Sequence, residues 1–343
     1  MLAALVLVAL LVWAPGARAA GVPRDFFGIV PQGPLAQSDF DRLGGVAHTL
    51  RIPVMWSQIE PGPGEYRFAE LDRTIAAAAA AGMDVLPFVY GSPSWVARDP
   101  SLPPLDAPSA ERAWTGMLQQ LLRRYGPHGD LWQERAPARP IRRWQIWNEP
   151  NFVLFWRPRP SPLAYAHLLR ISARTIRGMD PDASIVAAGV APVEAGITPW
   201  AFLRRMYKVP GVRNDFDVVA LHPYAPYVRW VDDQIRFVRA VMDAAGDRRK
   251  PLQLTEIGVA SASVYRNLFD KGPQGQAAFL RKVFRLTLAN RRRWHISGVD
   301  WFTWQDAPAA DPHCVFCQYG GLFDLSGAPK PSWWAFRHIA TSS

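Results

Sequence analysis

Cysteine is nearly absent: the 343 residues hold two, Cys314 and Cys317, spaced Cys-Val-Phe-Cys. Two cysteines exclude the dense disulfide framework of a small secreted scaffold. With His313 beside them they offer three metal ligands, one short of a structural zinc site. A thioredoxin-like redox pair would open a helix in a different fold, whereas this pair lies in a loop with Pro308, Pro312 and Gly320-Gly321. A local disulfide between Cys314 and Cys317 is expected.

Lysine is scarce as well. Lys208, Lys250, Lys271, Lys282 and Lys330 are the full set, and the formal charge of +10 is carried by arginines dispersed along the chain. The tight basic runs, such as Arg291-Arg292-Arg293, are no longer than three residues and do not form the clustered patch that grips a phosphate backbone, so no nucleic-acid partner is expected. Also missing are a glycine-rich phosphate loop and a His, Asp or Cys cluster with metal-ligand spacing, so no cofactor is implied.

Long apolar runs are confined to the start. Leu2 to Val12 is unbroken, Pro15-Gly16 follows, and Ala17-Arg18-Ala19 has the small-x-small form of a cleavage site. The run is too short to span a bilayer, which takes about 18 or more apolar residues, and it reads as a signal peptide over 1–19, cleaved after Ala19, on a secreted protein. No Lys or Arg precedes it. An uncleaved anchor, and with it a membrane attachment, stays open.

From residue 20 to 343 there is no linker, repeat or low-complexity stretch, which argues for one domain. Strand-like runs at Phe26 to Val30, Thr49 to Val54, Val85 to Tyr90, Arg143 to Trp147, Ser184 to Gly189, Phe216 to Leu221, Leu252 to Thr255 and Gly298 to Trp304 alternate with helical stretches. The helix over Leu71 to Ala81 is stopped by Gly82. That over Pro162 to Arg177 is capped by Ser161, with Tyr165, Leu168, Leu169, Ser172 and Ile176 on one face. Eight strand–helix units predict a single (β/α)8 TIM barrel with its site at the C-terminal ends of the strands. An open doubly wound sheet is the alternative, and Pro87, which has no N–H to give a ladder, fits neither sheet comfortably.

Two carboxylates fall where such a barrel keeps its chemistry. Glu149 ends the run Trp144-Gln-Ile-Trp-Asn-Glu, after the fourth strand, and Glu256 ends Leu252-Gln-Leu-Thr-Glu, after the seventh. Breaking a glycosidic bond takes one acid to protonate the leaving oxygen. With retention of configuration it also takes a second carboxylate to attack the anomeric carbon, the two groups standing about 5 to 5.5 Å apart.

The segments Trp147-Asn148-Glu149-Pro150-Asn151 and Thr255-Glu256-Ile257-Gly258 together resemble the paired signature of the retaining glycosidases in the barrel clan of cellulase-like and β-xylosidase-like (family 39-like) enzymes. The resemblance implies Glu149 as general acid/base, Glu256 as nucleophile and Asn148 as a partner of the sugar 2-hydroxyl. It further implies Arg51 beside the nucleophile, Tyr224 of His222-Pro-Tyr224 bonded to it, His222 lining the sugar subsite, and an aromatic platform at Trp304, with Phe302 as the other choice. The stretch Trp56 to Tyr66 is similar to the loop after strand two of the β-xylosidase-like members and would bring Trp56 to the site. Trp95 and Trp156 would add stacking surface. Glu60, Glu65 and Asp217 read as loop or strand-edge charges. The implied partner is an oligo- or polysaccharide. A catalytically silent carbohydrate-binding barrel, and a transglycosylase remodelling envelope glycans, share these residues and stay open.

Overall fold

A computed structural model describes residues 21–135, 137–263, 267–309, 314 and 316–342. The leader expected over 1–19, its cleavage point and His313 lie outside the described residues.

Eight strands form: β1 Phe27–Val30, β2 Thr49–Met55, β3 Asp84–Tyr90, β4 Arg143–Ile146, β5 Ser184–Val190, β6 Val218–Leu221, β7 Leu252–Ile257 and β8 Ile296–Phe302. They pair in parallel in chain order and β8 closes on β1, giving a barrel with no free edge. Among the described residues ten α-helices surround it: α1 Gln37–Leu43, α2 Trp56–Ile59, α3 Ala69–Ala80, α4 Pro108–Tyr125, α5 Asp130–Glu134, α6 Pro162–Met179, α7 Pro199–Met206, α8 Val228–Ala244, α9 Gly272–Asn290 and α10 Pro331–Ser342. This is the single TIM barrel expected from the alternation, and the open-sheet alternative is set aside by the β1–β8 pairing.

Local chemistry accounts for the helix ends. Ser161 Oγ accepts from Ala164 N (3.2 Å) at the start of α6, Pro162 fills the first turn, and Tyr165, Leu168, Leu169, Ser172 and Ile176 are all buried against the barrel. Gly82, at φ +76°, reverses the chain after α3 in a conformation that L side chains disfavour. Tyr165 pins α6 to the sheet: its hydroxyl donates to Ile146 O (2.9 Å) at the end of β4 and accepts from Ala188 N on β5.

Pro87 has a local explanation. The N–H of Asp84 donates to His48 O on the β2 side, while Val89 O accepts from Trp147 N on the β4 side, so odd-numbered residues of β3 face β4. Pairing between β3 and β4 begins at Phe88 with Gln145, so the missing donor of Pro87 points to the edge ahead of that ladder.

The barrel interior holds a polar layer on β1, β7 and β8. Gln253 Nε2 donates to Asp300 Oδ2 (3.1 Å), and β1 makes room with Gly28, where a Cβ would stand 2.0 Å from Asp300 Oδ1. Burial pushes the Asp300 carboxyl up to about 7.

Candidate active site

The C-terminal end of β4 turns through an uncommon backbone. Trp147 has φ +71° and Glu149 φ +40°, a left-handed region costly to non-glycine residues and found most often where function requires it. The turn sends Trp147 outward, its Nε1 donating to Phe155 O (2.6 Å), and leaves Glu149 facing the barrel mouth. Asn151 holds the conformation: Nδ2 donates to Ala191 O and Ile197 O (both 2.7 Å), and Oδ1 accepts from Ala191 N (3.1 Å).

Arg51, fully buried on β2, joins three strands. Nη1 donates to Glu256 Oε1 (2.5 Å), Nη2 to Asn148 Oδ1 (3.0 Å) and Nε to Gln145 Oε1 (2.9 Å), with the guanidinium 3.8 Å from the centre of the Phe88 ring. The second oxygen of Glu256 accepts from the Tyr224 hydroxyl at 2.6 Å. Glu149 Oε1 is hydrogen-bonded to His222 Nδ1 at 2.7 Å, and the same nitrogen lies 3.6 Å from Glu256 Oε2. One oxygen from each glutamate and the imidazole nitrogen all fall within 4.8 Å of one another.

Position gives the two carboxyls opposite tendencies. Burial raises Glu149 above the usual carboxylate range, and the charge of Glu256 adds to that against the opposing pull of His222 and Arg51. Burial works on Glu256 as well, but His222, Arg51 and the Tyr224 hydroxyl together hold it below the usual range. The Tyr224 phenol, buried beside these charges, is raised well above its ordinary value and keeps its proton. A carboxyl biased towards its protonated form thus faces one biased towards its charged form, the arrangement that displacement with proton donation requires.

Arg51, Asn148, Glu149, His222, Tyr224 and Glu256 are brought together. His222 is bonded to Glu149 and fully buried, a different place from the sugar-lining one expected of it. The tryptophans require correction. Trp304 is 2% exposed and packs on Phe323 and Trp333 (4.4 and 5.5 Å between ring centres), so it is core, not platform. Trp56 is fully buried against Trp114, and Trp156 lies under Trp147 and Tyr165; neither offers a face to a ligand. Trp95 is half-buried, edge-on to Trp56, with Nε1 donating to Glu60 O (3.0 Å). Glu60 is itself buried, accepting from Trp56 Nε1 (2.6 Å) and Gly64 N (2.9 Å), and so anchors its loop instead of carrying a solvated charge.

The aromatic face beside the carboxyls comes from other residues. Phe302, half-buried at the end of β8, stands 6.2 Å from the Tyr224 ring, and Phe316 stands 4.7 Å from it. Phe316 arrives on the loop closed by the Cys314–Cys317 disulfide, whose Cys317 packs with it and Ala260. Gln145 and Gly189 were not evident from sequence either. Gln145 carried a weak signal as an inward-facing polar residue of β4; Gly189 carried none.

No family model matches this sequence, and no curated protein does. Solved structures match over nearly the whole chain. A family 39 glycoside hydrolase from Bacteroides cellulosilyticus WH2 superposes with a TM-score of 0.64 at 19% identity, over 94% of this chain and 64% of that one. A monomeric β-xylosidase from Caulobacter crescentus CB15 gives 0.67 at 18%, over 94% and 69%, and a glucosidase from Croceicoccus marinus 0.68 at 16%, over 94% and 68%. The chain shares their fold. It spans about two thirds of the length of these proteins.

Proposed function

We propose that this protein is a retaining glycoside hydrolase acting on an O-glycosidic bond of an oligo- or polysaccharide, with Glu149 as general acid/base and Glu256 as nucleophile. The observation that carries the reading is the pair of buried carboxyls within 4.8 Å, biased to opposite protonation states. That closeness favours retention, since inverting enzymes separate the pair by about 6.5–9.5 Å to admit a water. The shared fold with three glycosidases adds support.

In the first step protonated Glu149 gives its proton to the glycosidic oxygen as Glu256 attacks the anomeric carbon, and the leaving sugar departs as an alcohol. Arg51 and Tyr224 hold the attacking carboxylate charged and oriented through both its oxygens. In the second step Glu149, now a carboxylate, takes a proton from water; the hydroxide formed attacks the same carbon and releases Glu256. Water is the one co-reactant.

Azide separates the roles. With Glu149→Ala an activated dinitrophenyl glycoside should still form the covalent intermediate, which accumulates until azide releases a glycosyl azide of retained configuration. With Glu256→Ala any rescued product should be inverted. The reverse pattern exchanges the assignments, and turnover unaffected by either substitution removes the glycosidase reading. Product analysis with an added acceptor sugar separates hydrolysis from glycosyl transfer.

A further inference from the structure

On the face of the barrel that carries the two glutamates, a second cluster has no role in the scheme above. Tyr227 and Trp230 are exposed (39% and 41%), with ring centres 4.9 Å apart and planes at 86°. The Arg229 guanidinium lies 5.4 Å from the centre of one ring and 5.6 Å from the other, and Lys271 Nζ lies 4.8 Å from that of Tyr227.

The chain places this cluster next to the candidate site. Tyr227 follows Tyr224, the partner of Glu256, by three residues, a stretch that spans at most about 11 Å. Lys271 ends the loop that leaves β7, the strand of Glu256, and begins α9. Two residues before it, Phe269 stacks on Phe316 (5.0 Å), which packs on Tyr224. The cluster is therefore an outward continuation of the Tyr224–Phe316 wall.

Acids lie close by, Asp270 next to Lys271 among them, yet among the described residues none is drawn into an ion pair with Arg229 or Lys271. Asp232 and Asp233 on the first turns of α8 are taken by Arg236, and the Asp270 carboxylate accepts from Ser263 Oγ (3.0 Å) and Gly272 N (3.1 Å). Exposed rings suit the C–H face of a sugar, and two unpaired cations held against those rings suit an anion lying on it. A neutral sugar would leave both cations unused.

We propose that Tyr227, Trp230, Arg229 and Lys271 form an outer subsite for a carboxylate-bearing sugar, a uronate, in the glycan whose neighbouring bond lies between Glu149 and Glu256. This rests on the glycosidase reading and narrows its substrate to acidic glycans. With the two ring planes at 86°, the Trp230 face takes the apolar side of the uronate and Tyr227 borders it, while the guanidinium and ammonium groups take its carboxylate.

Calorimetric titration of the full protein carrying Glu256→Ala, which prevents consumption of the ligand, tests the assignment. The probes are glucuronoxylan, pectin and alginate oligosaccharides, each beside its carboxyl-reduced counterpart. At least one acidic oligosaccharide should bind about tenfold or more tightly than its reduced form, with the preference shrinking as salt is raised. Adding Arg229→Ala and Lys271→Ala should erase that preference, while Trp230→Ala should weaken both members of the pair. Equal binding of acidic and reduced probes, a preference that survives loss of both cations, or binding of phosphatidylserine vesicles in place of oligosaccharides overturns the proposal. Hydrolysis of simple aryl glycosides by the unaltered protein involves no outer sugar, and so decides the glycosidase reading separately.

Discussion

Gly189 on β5 leaves open the space that the His222 ring occupies: a Cβ at position 189 would stand 2.0 Å from His222 Nε2 and 2.3 Å from Cδ2. Since the opposite edge of that ring bonds Glu149, the absent side chain on β5 positions the acid beyond β4. Gly189→Ala should push the imidazole off Glu149. We expect kcat/KM for glycosides with poor leaving groups to fall by about 10- to 100-fold, a partial loss of the roughly 100- to 10,000-fold that general acid catalysis supplies, with little change for dinitrophenyl glycosides. Equal losses on both substrate types would mean that the ring serves some purpose other than support of the acid.

Arg51 divides its guanidinium among Glu256, Asn148 and Gln145, which an ammonium cannot reproduce. The wild-type pH profile of kcat/KM should be a bell. Its acidic limb follows ionisation of Glu256, below the ordinary carboxylate range, and its basic limb follows loss of the proton from Glu149, above that range. Arg51→Lys should lower the plateau by about two orders of magnitude and move the acidic limb to higher pH, because the single ammonium cannot keep the guanidinium's hydrogen bond to Glu256 while serving Asn148 and Gln145. An acidic limb that stays in place would show that Arg51 does not set the ionisation of Glu256.

Phe302 and Trp304 lie two residues apart and should fail in different ways. Phe302→Ala removes a half-buried ring beside Tyr224, and is expected to raise KM several-fold with a small change in Tm. Trp304→Phe leaves a void among Phe323 and Trp333 and should lower Tm by several degrees while the remaining folded fraction keeps its KM. Thermal melts beside initial-rate kinetics on both variants check this, and a KM effect for Trp304→Phe as large as that for Phe302→Ala would return Trp304 to the site.

Asp300 makes stability depend on pH in the direction opposite to a salt-bridged acid. Its carboxyl is raised to about 7 in the fold, so the folded state holds the proton more tightly than the unfolded chain. Its contribution is therefore full below the ordinary carboxylate pKa and is lost as pH rises towards and through 7. Asp300→Asn, which cannot ionise, should match the wild type in Tm near pH 4 and exceed it near pH 8 by several degrees. A constant difference between the two proteins at both pH values would refute the ionisation argument.

The barrel was legible because strands covered on both sides read as short apolar runs, and eight of them recur with helical stretches between. Boundaries moved by a residue or two, as at β8, which runs Ile296–Phe302 instead of Gly298 to Trp304. Glu149 and Glu256 were legible because their neighbours are unusual. The tryptophans were not, because alternation stops informing where a strand stops. Beyond Phe302 the chain turns, with Thr303 N donating to Gly320 O (3.2 Å), and Trp304 swings under the following loop although its parity matches Phe302. Trp56 opens the single turn of α2 directly after β2, where the period changes from 2 to 3.6. Gly189 was invisible for another reason: its function is a space, defined by a ring 33 residues further along the chain.

The row of indoles outside β2 to β4 has an optical consequence. Trp95, Trp56, Trp114, Trp147 and Trp156 follow one another with ring centres 5.5 to 6.1 Å apart, all but the first buried. At such separations excitation passes between indoles faster than it is emitted, so ultraviolet light absorbed anywhere along the row leaves from its lowest-energy member, blue-shifted and depolarised. Trp230, beyond β6 and open to water, emits at the red edge of the same spectrum together with the exposed Trp334 of α10. The folded protein therefore carries a blue signal that reports whether the barrel wall is intact and a red one that, once Trp334 is replaced by Phe, reports what touches the rim.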